Sequence, residues 1–284
     1  MPSHCIFCRE TELTSEDIWP TWYKKWLRQH PQLSSTFTIT RQLGDDLAVL
    51  QEKALSVGGK RAIMCERCNT RRMGRIQDRA SVLLKPTLDF TFHKTRPGDI
   101  VLPPTDQRVL SAWAMMTAMT AEFLPQPMPD VDETYFTQAE REAFRKSRKP
   151  IANVIVTVSQ YSGQNATGAY FAHSAPPILA PDTGEQTGKS ARLYVVTIAL
   201  FRVCFQVAYY RKPVKWYVRN GLTSLGIGAN PEGIEIPIWP IRGTQKWPPK
   251  YAIGDDTLLL YCRRWNPPDE SDTESVEAPD PGMR

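Results

Sequence analysis

The chain has 284 residues, 41% hydrophobic and 23% charged, with 24 prolines, 16 glycines and a formal charge of +5, a composition that suits one large or two modest globular domains. No run approaches the ~20 apolar residues of a membrane helix, and no repeat of roughly 20–50 residues marks a solenoid. Met1-Pro2-Ser3-His4-Cys5 lacks the basic and apolar pattern of a secretory leader, so a cytoplasmic protein with no membrane partner is expected.

The first motif is Cys5-Ile6-Phe7-Cys8, and the same spacing recurs, after 56 intervening residues, as Cys65-Glu66-Arg67-Cys68. A CxxC turn aims two thiolates at one point, and two such knuckles supply the four soft ligands of a closed tetrahedral site. In a reducing compartment these residues stay thiols, which makes structural Zn²⁺ the expected occupant. A rubredoxin-like iron uses the same ligands. A single redox CxxC leaves the second copy unexplained.

Between the knuckles, Pro20 can open a helix that puts Trp22, Trp26 and Leu27 on one face. Glu16 and Asp17 precede it at a strand end or loop, where the plain reading is a helix cap and a solvated acid. Thr36–Leu43 and Leu47–Gln51, parted by Gly44-Asp45-Asp46, read as a hairpin inserted between the two halves of a metal-bound module.

After Cys68 the spacing predicts a helix from Asn69 to Lys85, ended by Pro86, with Met73, Ile76, Ala80 and Leu83 buried. Arg71, Arg75 and Arg79 recur every four residues and share an exposed face; Arg72 stands beside them. Lys60 to Arg79 holds seven bases against Glu66 and Asp78. The four arginines are candidate nucleic-acid-binding residues, because a guanidinium makes forked hydrogen bonds to phosphate. A solvated helix face is the plainer alternative.

Residues 87–102 read as a connector with strand character at Leu88–Phe92. Val109–Leu124, capped by Thr105-Asp106, is a core helix, and Thr137-Gln138-Ala139-Glu140 is a capping box opening a helix to Lys149. Arg141–Lys149 carries five bases, a second positive patch. From Ile151 the period becomes two: Ile151–Ser159, Ala169–His173, Leu193–Leu200, Val203–Tyr210, Lys215–Val218 and Thr257–Cys262 read as strands of a mainly antiparallel sheet. Cys204 and Cys262 read as buried small hydrophobes, and the aromatic residues as packing. Residues 266–284 hold six acids, one base and four prolines, which predicts a disordered acidic tail and leaves +10 on the rest, a charge suited to an acidic partner such as DNA. No Gly-rich phosphate loop, nucleophile elbow or dinucleotide fingerprint is present.

Cys5-x-x-Cys8, then Leu13-Thr14-x-Glu16-Asp17-Ile18-x-Pro20-x-Trp22, then Cys65-x-x-Cys68-Asn69 resembles the zinc-stapled HNH endonucleases. It is most similar to a bacterial and phage group with a CxxC…EHvxPxW…CxxCNxxxM pattern. The resemblance extends through Ala112-Trp113-Ala114 to Ile238-Trp239-Pro240 and Trp247-Pro248-Pro249. It implies an α+β chain: a zinc-bound ββα-metal module with its inserted hairpin (1–86), a connector and helices (87–150), a β-rich domain (151–265) and the tail (266–284).

The resemblance further implies a metal-dependent endonuclease that hydrolyses DNA phosphodiester bonds. Glu16 and Asn69 would ligate a catalytic divalent cation, Mg²⁺ or Mn²⁺, apart from the structural zinc. Asp17 stands where the family has the histidine that takes a proton from the attacking water. Aspartate ordinarily titrates at about 3.9 and histidine at about 6.5, so a weaker base and a slow enzyme follow. Alternatively, Asp17 joins Glu16 in holding metal. The middle asparagine of the HNH pattern is also missing from Gly58–Met64. These departures leave a non-catalytic, zinc-stabilised nucleic-acid-binding protein as the second reading. His4, His30, His93 and His173 read as surface or packing residues.

Overall fold

The computed structural model describes residues 2–17, 19–33, 36–43, 46–54, 60–93, 100–123, 134–163, 169–174, 193–210 and 233–255. The chain is α+β. Among the described residues, no helix is long and apolar enough to cross a membrane. The expected tail, Cys262 and the strands at 215–218 and 257–262 lie outside the described residues.

The N-terminal part is built on a short antiparallel pair, β1 (Thr14–Asp17) with β4 (Lys60–Met64), in which Glu16 faces Arg61 and Asp17 faces Lys60. Helix α1 (Thr21–Arg28) follows β1 directly, with Pro20 as its N-cap and not its first residue. It buries Tyr23, Trp26 and Leu27, while Trp22 is half-buried. The basic side chains Lys25 and Arg28 are exposed near its C-terminal end, where the helix dipole favours cations.

The second helix differs from its expected form in two ways. Residues Arg67–Met73 form a π-turn before α2 (Gly74–His93) begins, and Pro86 lies inside α2 and does not end it. Proline removes one intrahelical donor, a cost near 3 kcal/mol in an exposed helix. Here packing outweighs it. Leu88 is fully buried, the Trp26 indole N–H donates to Asp89 at 2.6 Å, and Phe92 meets the Trp26, His30 and Phe201 rings. The stretch Leu88–Phe92, expected to have strand character, is therefore the last turns of α2. His30 is a packing residue whose ring N–H donates to the Trp26 carbonyl at 2.8 Å.

β2 (Thr36–Leu43) and β3 (Asp46–Ala54) make the expected hairpin between the knuckles. It does not stand alone: β2 pairs in parallel with β7 (Ala169–Ser174). With β6 (Val154–Gln160), β8 (Leu193–Leu200), β9 (Val203–Tyr210) and β10 (Glu235–Trp239) this gives a seven-stranded sheet in the order β10-β6-β9-β8-β7-β2-β3, antiparallel except at β7-β2.

Helix α3 (Pro104–Ala121) is apolar nearly all round, as a helix covered on several sides must be. Trp113 shows why: its ring meets Phe205 of β9 edge-on at 5.3 Å, and its indole N–H donates to Gln77 of α2 at 3.4 Å. The strand β5 (Ile100–Leu102), paired with β11 (Gln245–Trp247), is tied to α3 through Gln107, whose amide donates to the carbonyls of Leu102 and Gly243. Helix α4 (Gln138–Ser147) starts at the expected capping box, with Thr137 and Glu140 exchanging hydrogen bonds. Phe144 of α4 packs on Phe7 of the first knuckle, with centroids 6.2 Å apart.

One buried ion pair fastens α3 to α4. Arg141 and Glu122 are both almost fully enclosed; Arg141 also donates to the Met119 carbonyl at 2.9 Å, and Glu122 accepts the Phe136 N–H at 3.0 Å. Burial pushes the Glu122 carboxyl above its ordinary range, against the pull of the Arg141 charge. Removing one partner strands the other charge, so Glu122→Ala is expected to cost about 3–5 kcal/mol. Glu122→Leu combined with Arg141→Leu should cost much less. Urea unfolding of the two variants checks this, and equal losses would show that the pairing is not what holds α3 to α4.

Candidate metal centre

Each cysteine knuckle sits where the chain reverses. Cys5–Cys8 is a turn closed by hydrogen bonds from Cys5 N–H to the Glu10 carbonyl and from Arg9 N–H to the Cys5 carbonyl. Arg9 takes a left-handed φ of 64° to complete it. The Ile6 N–H donates to the Ile63 carbonyl at 3.0 Å, which lays this turn along the end of β4. The second knuckle lies between β4 and the π-turn. The wider π-turn brings the Gly74 N–H to the Asn69 carbonyl, and a Cβ at Gly74 would sit 2.9 Å from that oxygen. Only glycine fits this close approach.

The four sulfurs converge. The Sγ atoms of Cys5, Cys8, Cys65 and Cys68 all lie within 4.8 Å of one another. The Cys8 and Cys65 sulfurs are 3.4 Å apart, too far for a disulfide near 2.05 Å. Tetrahedral coordination with metal–sulfur bonds of about 2.3 Å requires sulfurs about 3.8 Å apart, so the spacing fits one ion. Cys5, Cys65 and Cys68 are buried and Cys8 is half-buried. Cys204 is a buried thiol on β9, as its apolar surroundings predict.

The electrostatics of the thiols favour a bound cation. A hydrogen bond from the Cys68 thiol holds Cys5 at about 4, while that same bond pushes Cys68 up and burial pushes Cys65 up. Cys5 thus ionises readily while Cys65 and Cys68 resist, Cys65 chiefly because it is buried and Cys68 because its thiol is the donor to Cys5. A soft divalent ion removes that conflict by binding all four sulfurs as thiolates. Arg67, at the surface beside the second knuckle, pairs with Glu10 at 3.0 Å. The four cysteines can thus hold a metal ion such as zinc.

The other candidate residues lie close to this cluster along the chain. Glu16 is the third residue of β1; its side chain lies outside the described residues. Asn69 follows Cys68 in the π-turn, half-buried, with its backbone N–H donating to the Cys65 carbonyl at 3.0 Å. Asp17 is engaged elsewhere: its carboxylate lies 2.5 Å from the Lys24 ammonium on α1. The sequence carries one signal for this pair, a lysine seven residues after an acid across a strand-to-helix turn, which the reading of Glu16 and Asp17 as cap and solvated acid does not use.

Arg71 and Arg72 are exposed on the π-turn, and Arg75 and Arg79 are exposed on α2. Arg75 and Arg79 are brought together in one cavity, and Arg71 and Arg72 do not line it. Near the cysteines, a second cavity of about 420 Å³ is lined by Glu10, Glu12, Thr14, Cys65, Glu66 and Arg67. Of the four histidines, His4 is exposed beside Ser3 and stands outside the sulfur cluster. No protein-family model, curated protein or solved structure matches the chain.

Cys68→Ser is expected to abolish stoichiometric metal, read by elemental analysis of the purified protein. Structural zinc contributes roughly 10–16 kcal/mol in isolated zinc-finger peptides. Even part of that should lower the melting temperature by about 10 °C or more, at roughly 2–4 °C per kcal/mol. Unchanged metal content would remove Cys68 from the ligand set.

Proposed function

We propose that this is a zinc-stapled, HNH-like protein that binds DNA through its phosphates, with Zn²⁺ held by Cys5, Cys8, Cys65 and Cys68 as a structural ion in a reducing cytoplasm. The observation that carries the reading is the uneven charge about the cysteine cluster. Glu10, Glu12 and Glu66 line its outer cavity, which repels phosphate. Arg71, Arg72, Arg75 and Arg79 are exposed along the next turns of chain, and among the described residues none of them forms an ion pair. The arginine row thus offers a polyanion a favourable line of approach.

The pairing of β1 with β4, followed by the turn and helix that carry Asn69, is the layout expected of a ββα-metal module. Asp17 supports binding as the leading role. A carboxylate held 2.5 Å from Lys24 must give up that partner before it can take a proton from water. Duplex DNA binding, followed by fluorescence anisotropy, is expected to weaken steeply with salt, by about 0.9 log units per log unit of salt for each phosphate neutralised. The variant Arg71→Ala/Arg75→Ala/Arg79→Ala should lower both affinity and salt slope. Binding that ignores salt, or is untouched in this variant, contradicts the reading.

A second reading is metal-dependent hydrolysis of DNA. It is favoured by one observation: β1–β4 pairing places the backbone of Glu16 beside the strand that leads into Cys65 and Asn69. Their oxygen donors suit Mg²⁺ or Mn²⁺, and such a cation would polarise a scissile phosphate. Asp17 would then act only after release from Lys24. On this reading supercoiled plasmid is nicked slowly by the wild type with Mg²⁺ or Mn²⁺ and not by Glu16→Ala. Equal nicking by both proteins removes Glu16 from the site, and no nicking by either leaves the binding reading alone.

A further inference from the structure

The two positive patches of the sequence meet in space. Arg75 and Arg79 of α2, Arg108 of α3, and Arg148 and Lys149 beyond the end of α4 line one cavity of about 220 Å³, with Ile76 and Val109 among its apolar walls. No carboxylate lines it, and among the described residues none of the five cations forms an ion pair. Cations crowded this way repel one another, so their arrangement needs a cause outside general solubility.

Helix electrostatics supplies only part of one. The C-terminal carbonyls of α4 favour the nearby bases Arg145 and Lys146, but Arg75, Arg79 and Arg108 come from other helices. Arg148 carries its side chain from a left-handed backbone, φ 54°, at a helix end where glycine is the common occupant. A non-glycine residue there costs of order 1 kcal/mol. Ser147 braces the same turn, its hydroxyl accepting the Lys149 N–H at 3.2 Å.

We propose that this cavity is a phosphate-binding site that takes a single phosphoryl group. Its volume is below the roughly 300–1,000 Å³ of pockets that enclose whole drug-sized ligands, so it suits one compact anion. Four guanidiniums and an ammonium supply forked donors and charge for a dianion, and the apolar walls lower the local dielectric and strengthen both. The shared chemistry is a phosphoryl group, whether free phosphate or the terminal phosphate of a nucleic-acid strand. Arg75 and Arg79 also belong to the row invoked for DNA binding, but Arg108, Arg148 and Lys149 do not, so the variant at Arg108 and Lys149 tests the site apart from that reading.

The test measures binding of inorganic phosphate by calorimetry, and of a short single-stranded DNA oligonucleotide with and without a 5′-phosphate by anisotropy. Wild-type protein is compared with Arg108→Ala/Lys149→Ala and with Arg28→Ala/Lys85→Ala, which removes the same charge from exposed positions outside the cavity. All four altered side chains sit at the surface, and circular dichroism checks that each variant folds. The cavity variant is expected to weaken phosphate binding at least tenfold and the control less than about twofold. Binding of phosphate itself identifies the free anion as sufficient; preference only for the 5′-phosphorylated strand identifies a strand terminus. Absence of both, or equal effects of the two variants, overturns the proposal, whatever plasmid nicking and duplex binding show.

Discussion

Four sulfurs brought to one point fix the geometry of the N-terminal half. The Cys8 and Cys65 sulfurs approach to 3.4 Å although the residues are 57 apart in sequence. Closing a loop of that length costs roughly 3–4 kcal/mol by the logarithmic chain-closure law. The two-stranded ladder β1–β4 that lies beside the knuckles cannot repay that cost, since an isolated pair of strands is marginal in water. Metal–thiolate bonding worth roughly 10 kcal/mol or more can. Burial and the neighbouring sulfurs set three of the thiols against one another: Cys5 is held at about 4 while Cys65 and Cys68 are pushed up. An ion bound by all four sulfurs as thiolates would remove that opposition and add its bonding energy to this half of the fold.

That loop also holds more than a spacer. Within it, β2 and β3 form a hairpin, and β2 pairs in parallel with β7, well over a hundred residues later. Parallel pairing requires a crossover, and the chain between β2 and β7 supplies one that contains β4, the second knuckle, α2, α3 and α4. Joining the knuckles and completing the seven-stranded sheet therefore constrain the same stretch of chain. Phe7 against Phe144, and Trp113 between α2 and β9, continue this coupling through the buried core.

The sequence was most legible where one local rule decided the outcome. The twin CxxC spacing led to the sulfur cluster, the Thr137–Glu140 box to the start of α4, and alternation to β8 and β9 at their observed limits. It misled where tertiary contacts outweighed a local rule. Proline at 86 argues for a helix end, yet burial of Leu88 and the bond from Trp26 to Asp89 carry α2 on to His93. The parallel partner of β2 was illegible because a hairpin's own pattern does not say which sheet receives its outer edge. The row of arginines was read as one α-helical face, but the π-turn changes the winding before Gly74, so only Arg75 and Arg79 join the cavity with Arg108, Arg148 and Lys149.

How this chain distributes its charge separates the two ends of the N-terminal module. Where β1 turns into α1, the acid and base are matched: Asp17 and Lys24 lie 2.5 Å apart, each only partly exposed, and their fields largely cancel. Where β4 turns into the π-turn, Arg67 is matched by Glu10. Beyond Cys68 the matching stops, and Arg71, Arg72, Arg75 and Arg79 stand exposed with no ion pair among the described residues. A chain that gained its net charge by drift would leave unmatched bases scattered among acids. Here the excess falls on α2 and on the parts of α3 and α4 that line the same cavity. Fields from unpaired cations brought together, as Arg75, Arg79, Arg108, Arg148 and Lys149 are, add over several ångströms before salt screens them at about 8–10 Å, so this surface acts on an approaching anion as a unit.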